Sequence, residues 1–296
     1  MLKHMKVICS IVMVTLLAAF RAAAQVDVEI SFSQEQFLPN ESIPITVKIT
    51  NRSGQPIHLG EPANWLTFNI EAADNYVVMK NSEVPVEGAF DLESSQMAIK
   101  HVDLQPSFML QRPGRYRVTA TLHIDQWSAS ASSKAAPFDV ITGAKLWEQE
   151  FGVPGATNTP PEVRKYVLLQ ANYFKGQLRL YSEVTDASGS DVMKVLPLGI
   201  MVSFSQPVAQ VSRLGKLHVL WQSGARMFSY SVLAPDGSLA QQEIYEDYGV
   251  RPQMQVNDNG DVVIQGGVRR PHQGELPDIK LPTQVPAPVP AVSTNN

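Results

Sequence analysis

The side chains able to do chemistry are scattered along this 296-residue chain. Beyond the N-terminal stretch the histidines are His58, His101, His123, His218 and His272, and none forms an H-E-x-x-H or H-x-H pair. Zinc therefore has no local template, because a site needs several converging donors. His123 and His218 fall in strand-like patterns on the side that should be polar. No G-x-S-x-G elbow, G-x-G-x-x-G turn or phosphate loop is present. Two acidic turns, Asp186-Ala187-Ser188-Gly189-Ser190-Asp191 and Asn257-Asp258-Asn259-Gly260-Asp261, lack the order of a calcium loop and its terminal glutamate. Asn, Asp and Gly serve tight hairpins equally well, and both segments are read as turns. Glu148 and Glu150 share a face if extended, as carboxylates do at glycosidase sites, but no partner cleft is evident and they read as a solvated face. Trp65, Trp147 and Trp221 read as core or junction residues. Trp127, in the polar stretch DQWSASASS, is the tryptophan placed to stack on a ligand. The catalytic residues are unassigned, and no metal or other cofactor is implied.

The elements that would position these groups begin after an export signal. Lys3 and Lys6 precede an apolar run from Val7 to Phe20, and Ala22-Ala23-Ala24 offers small residues for cleavage. Residues 1–24 read as a signal peptide, too short in its apolar part to span a bilayer comfortably, with the mature chain starting at Gln25. We expect a secreted or periplasmic protein with no membrane span after cleavage. Cys9, the one cysteine, lies in this segment, and its neighbours Lys6-Val7-Ile8 do not form a lipobox. Removing Lys3, Lys6 and Arg21 from 24 basic residues leaves 21 against 28 acidic ones, a net charge of −7. Nucleic-acid binding needs a cationic footprint, so that class is excluded.

Residues 25–142 alternate with period two: Val26, Val28, Ile30, Phe32; Ile43, Ile45, Val47, Ile49; Leu66, Phe68, Ile70; and Tyr116, Val118, Ala120, Leu122, Ile124. Such alternation puts one face of an antiparallel sheet in a core and the other in water. Turn residues separate the runs at Asn51-Arg52-Ser53-Gly54, Asp74-Asn75 and Pro113-Gly114. The segments FLPNESIPITVKITNRSGQPIHL (Phe37–Leu59) and LQPSFMLQRPGRYRVTATL (Leu104–Leu122) resemble bacterial Ig-like and macroglobulin-type β-sandwich domains. The strand pattern is also similar to that of a bacterial proteinase-inhibitor family, without an inhibitory loop. Gly114 is expected to adopt a backbone conformation unfavourable with a Cβ. Tyr116 is expected to bury its ring and bond its hydroxyl to nearby backbone. Both roles are scaffolding.

Residues 143–162, rich in Gly and Pro, read as a linker. Thr159-Pro160-Pro161-Glu162 has the form of a helix start, but strand is favoured from Val163 onward. In residues 163–268 a strand–Gly turn–strand phrase recurs around Gly176, Gly215 and Gly260, 39 and 45 positions apart. That spacing resembles propeller blades, but at most three copies fit where closed propellers use four to eight. An open antiparallel β-meander packed on the first domain is expected, over a compact sandwich or part of an oligomer. Residues 269–296 are proline-rich and read as a disordered tail. The fold class is thus all-β: an Ig-like sandwich, then a meander with blade-like repeats.

Export, β-domains and the lack of a catalytic set point to a non-enzymatic protein that binds an envelope protein or polysaccharide. The alternative is a secreted carbohydrate-active hydrolase, with acidic residues converging in the repeat region. A cleft there lined by two carboxylates would favour it.

Overall fold

The computed structural model describes residues 26–153, 162–173 and 176–271; the expected signal peptide and all but the first residues of the expected tail lie outside them. The regular structure of the described residues is almost entirely strand, with single-turn 3-10 helices at Gln105–Ser107 and Asp125–Trp127. No helix among these residues is long and apolar enough to cross a membrane.

The first domain contains β1 (Val26–Phe32), β2 (Gln36–Phe37), β3 (Pro44–Asn51), β4 (Ile57–Leu59), β5 (Leu66–Ala72), β6 (Phe90–Leu92), β7 (Met97–Asp103), β8 (Gly114–Ile124), β9 (Ala129–Ser132) and β10 (Ala136–Val140). A three-stranded sheet runs β1-β3-β7 and a second sheet runs β2-β10-β8-β5, with β9 also on β8. Strands β4 and β6 form a separate ribbon. All pairings are antiparallel except β2 with β10. Alternation carries Val26 and Val28 of β1, Ile45, Val47 and Ile49 of β3, and Val118, Ala120 and Leu122 of β8 into one core shared by both large sheets. Tyr116 is part of it: the ring stacks on Phe138 with centroids 5.6 Å apart, and the hydroxyl donates to the Arg112 carbonyl at 2.6 Å. Gly114 needs correction. Its φ is not positive, and an added Cβ would meet only the Tyr116 ring at 3.9 Å, so nothing in the backbone demands glycine there.

The second region contains β11 (Ala144–Val153), β12 (Glu162–Asn172), β13 (Leu178–Asp186), β14 (Val192–Met201), β15 (Val208–Val211), β16 (Leu217–Gln222), β17 (Met227–Leu233), β18 (Leu239–Glu246), β19 (Gln253–Val256), β20 (Val262–Gln265) and β21 (Val268–Arg270). Much of the expected linker is β11, which pairs with β12 along its length through a register shift between Lys145 and Trp147. Two meanders follow one another, β11-β12-β13-β14 and β15-β16-β17-β18, with β21 added to the edge of β18. Arg269 and Arg270 therefore belong to a strand, not to the start of the tail: Arg270 meets Glu246 at 2.9 Å and Arg269 lies 3.8 Å from Glu243, both on β18.

These two sheets face each other. Tyr166, Leu168, Leu180, Val184 and Leu198 of one pack with Leu217, Val219, Trp221 and Leu233 of the other. The region is thus a two-sheet sandwich rather than an open meander spread on the first domain. Contact with that domain is a smaller cluster, Leu38 and Ile141 against Leu169, Ala171, Tyr181, Val192 and Val195. The three repeat glycines all sit in turns with positive φ (+79° at Gly176, +71° at Gly215, +82° at Gly260), where a side chain is strained. Their places are not equivalent. Gly176 joins the second and third strands of its sheet, Gly215 the first and second, and Gly260 the two strands of the β19–β20 ribbon.

Candidate functional site

A concavity ringed by histidine, carboxylate and amide side chains is built at one end of the first domain's sandwich, where strands β4 and β8 run out. After Ile124 the chain makes one 3-10 turn, and Ser128 in the left-handed region (φ 48°, ψ 40°) sends it back as β9. That reversal places Asp125 and Gln126 at the sheet's end. Opposite them, β4 delivers His58 and Leu59 into a loop that begins at Gly60. Here glycine is obligatory: φ is +95°, and a Cβ would lie 2.4 Å from the Gly88 carbonyl oxygen. The loop closes through the Trp65 amide, which donates to the Pro62 carbonyl at 3.1 Å.

Between the two loops lies a cleft of about 290 Å³ with His58, Glu61, His123, Asp125 and Gln126 around it and Leu59, Pro62 and Trp65 beneath. The Trp65 indole is fixed. Its ring is buried edge-on against Phe90, and its N–H donates to the Val86 carbonyl at 2.8 Å. His58 lies 2.7 Å from Asp91 across the β4–β6 pairing and 3.5 Å from Glu61. The hydrogen bond to Asp91 holds the imidazole pKa above its usual value, favouring the charged, doubly donating form. His123 Nε2 is 3.3 Å from the Thr67 hydroxyl. The result is a rigid apolar floor under a ring of carboxylate acceptors, imidazoles and one amide. That set suits a ligand rich in hydroxyl groups, each of which both donates and accepts. Among the described residues no three His, Cys, Asp or Glu side chains converge as metal ligands.

Trp127 does not line this cleft. It is half-buried against the first domain's core, and its neighbours Asp125 and Gln126 reach the cleft instead. The single turn that presents two polar side chains outward turns the third residue in.

Other sequence candidates lie apart. His218 is buried rather than on a polar face, because β16 is covered on both sides; its Nδ1 lies 2.7 Å from the Tyr230 hydroxyl, and burial lowers its pKa. Glu148 and Glu150 are exposed on β11, and a hydrogen bond from Lys145 at 3.0 Å lowers the Glu148 pKa. Asp186 caps its own hairpin: it accepts from the Ser188 hydroxyl and from the Asp191 amide at 2.9 Å, and these bonds hold its carboxyl at about 2. Asn257 does the same through the amides of Asn259 and Asp261. Both turns use these acceptors on hydrogen bonds within their own hairpins.

Sequence reasoning weighed His58 only as a metal ligand and passed over Glu61, Asp91 and Gly60. They come from segments some 30 residues apart or more from their cleft partner Asp125, so no local spacing links them. The available signal was Gly60-Glu61-Pro62, a turn following an apolar-polar-apolar triplet.

No protein-family model and no curated protein matches this chain. Among solved structures a similar chain is the sporulation control protein Spo0M from Bacillus subtilis, 10% identical, with 58% of this chain and 89% of that chain covered at a TM-score of 0.30. A likeness of that size transfers no activity.

Proposed function

We propose that this chain is an exported, non-enzymatic binding protein whose Ig-like first domain holds a polysaccharide of the cell envelope in the β4–β8 cleft. The observation that carries the reading is the polar ring of His58, Glu61, His123, Asp125 and Gln126 over the immobile floor of Leu59, Pro62 and Trp65. Sugar hydroxyls would donate to Glu61 and Asp125 and accept from Gln126, with His58 holding Glu61 in place, while a pyranose face would rest on the apolar floor. The hydrolase alternative loses ground in the second region, where the cleft beside β15–β17 is lined by no carboxylate.

The test is binding of the mature protein to isolated envelope polysaccharides, measured for the wild type and for Glu61→Gln and Asp125→Asn. Both side chains are exposed, so neither change should shift the melting midpoint. Each should weaken retention about tenfold, the worth of a hydrogen bond to a charged acceptor. Equal retention by the wild type and both variants would reject the site.

A further inference from the structure

A second cleft, of about 400 Å³, lies in the second region and is built differently. Its floor is apolar: Leu220 and Phe228 from the outer face of the five-stranded sheet, with Met254 from the overlying β19 and the edge of Trp221. Leu220, Trp221 and Phe228 are buried. Amides ring the mouth, namely Gln206, Gln222 and Gln253. The adjoining lip is hydrophobic and open to water, with Phe204 78% and Val208 55% exposed. An aromatic side chain so exposed, next to an apolar floor, marks surface that a ligand can cover.

One cation reaches this cleft and no carboxylate does. Arg251 lies over the Phe228 ring at 4.9 Å and donates to the Ser205 hydroxyl at 3.3 Å; among the described residues it forms no ion pair. Its position is set by the backbone. The arm Val250–Pro252 is clasped by Gly266 and Gly267, both at positive φ, with the Gly267 amide donating to the Val250 carbonyl at 2.8 Å. A Cβ on Gly267 would come within 2.5 Å of the Pro252 ring, and one on Gly266 within 2.8 Å of the Arg251 carbonyl oxygen. The double glycine therefore lets the arm lie flat and leaves a guanidinium poised over an aromatic floor. A planar cation with free N–H donors beside an apolar cavity is built to take a carboxylate bidentately while the rest of the ligand goes into the cavity.

We propose that this cleft binds small carboxylic acids bearing an aromatic or aliphatic body, with Arg251 holding the carboxylate and Leu220, Phe228 and Met254 receiving the body. The site is separate from the β4–β8 cleft and does not depend on what that cleft binds.

The experiment is calorimetric titration of the full mature chain with hydrocinnamate and with its neutral amide. The acid should bind at least about tenfold more tightly, as a charge-assisted hydrogen bond requires. Arg251→Gln should erase that preference without moving the melting midpoint, Arg251→Lys should retain part of it, and Asp125→Asn in the other cleft should leave it unchanged. Equal affinity for acid and amide, no binding of either at millimolar concentration, or a preference that survives Arg251→Gln would overturn the proposal.

Discussion

The first domain leaves much of the outward face of its sheets to water, whereas the second region covers both faces of its central strands. In β3 and β8 the buried positions alternate with more exposed ones, and the apolar side chains form a single core between two sheets. In β16 five consecutive residues are buried. Leu217, Val219 and Trp221 face the β11–β14 sheet, while Leu220 meets Phe228, Tyr230 and the overlying β19–β20 ribbon. Polar groups follow suit. His58 is exposed and its pKa is raised by a carboxylate; His218 is enclosed, its pKa lowered by burial, against a Tyr230 hydroxyl pushed up to about 12. A singly covered sheet can offer titrating side chains at its ends, and a doubly covered one turns them into internal hydrogen-bond partners.

If the two regions are separate cores joined by a small junction, damage to one should leave the other's transition in place. Tyr116→Ala removes a buried ring and should lower first-domain stability by about 3–5 kcal/mol in calorimetry, with the second-region transition unmoved. Tyr116→Phe loses only the bond to the Arg112 carbonyl and should cost about 1–2 kcal/mol. A single transition that shifts as a whole would break the comparison.

Gly60→Ala should come next, at about 2 kcal/mol or more, because it combines a strained φ with a clash against the Gly88 carbonyl. It should also abolish binding at the β4–β8 cleft; binding that persists would separate the site from its loop.

The junction itself can be titrated. Glu41 is buried, accepts from the Leu38 amide at 2.7 Å and the Gln34 amide at 3.0 Å, and faces Arg179 and Tyr181 of β13. Burial outweighs those charge-stabilising contacts and raises the carboxyl from 4.5 to about 7. The neutral form is thus the one the folded junction favours: its contribution is full below about pH 4.5 and is lost as pH rises through about 7. From pH 5 to pH 8 the wild type should lose on the order of 2–3 kcal/mol from this group, and Glu41→Gln should flatten that slope. A slope unchanged in the variant would assign the pH dependence elsewhere.

Least of all should follow from Lys48→Ala. Its partner Glu29, 2.9 Å away, is solvent-exposed, and exposed pairs of this kind leave denaturation midpoints where they were. A clear shift would mean that the wet face of the first domain contributes more than its exposure allows.

What could be read from the chain alone followed the first of these two arrangements. Period-two runs at Val26–Phe32, Ile43–Ile49, Leu66–Ile70 and Tyr116–Ile124 lie along β1, β3, β5 and β8, because a face in water and a face in a core write alternation directly into sequence. Gly176, Gly215 and Gly260 were legible as turns for an equally local reason, the positive φ that a tight reversal demands. Tertiary structure decided the rest. Leu217–Trp221 hides its two faces in one apolar run, so no local pattern marks His218 as buried; its face of β16 is enclosed by Tyr230 and by the β19–β20 ribbon over Leu220. Ala144–Val153 is a strand because β12 is there to pair with it, although its own pattern breaks at a register shift. The two clefts depend on such meetings throughout. His58 reaches Asp125 only through the end of a sandwich, and Arg251 overlies Phe228 only because Gly266 and Gly267 let two distant segments touch, and neither approach has a local spacing that sequence could carry.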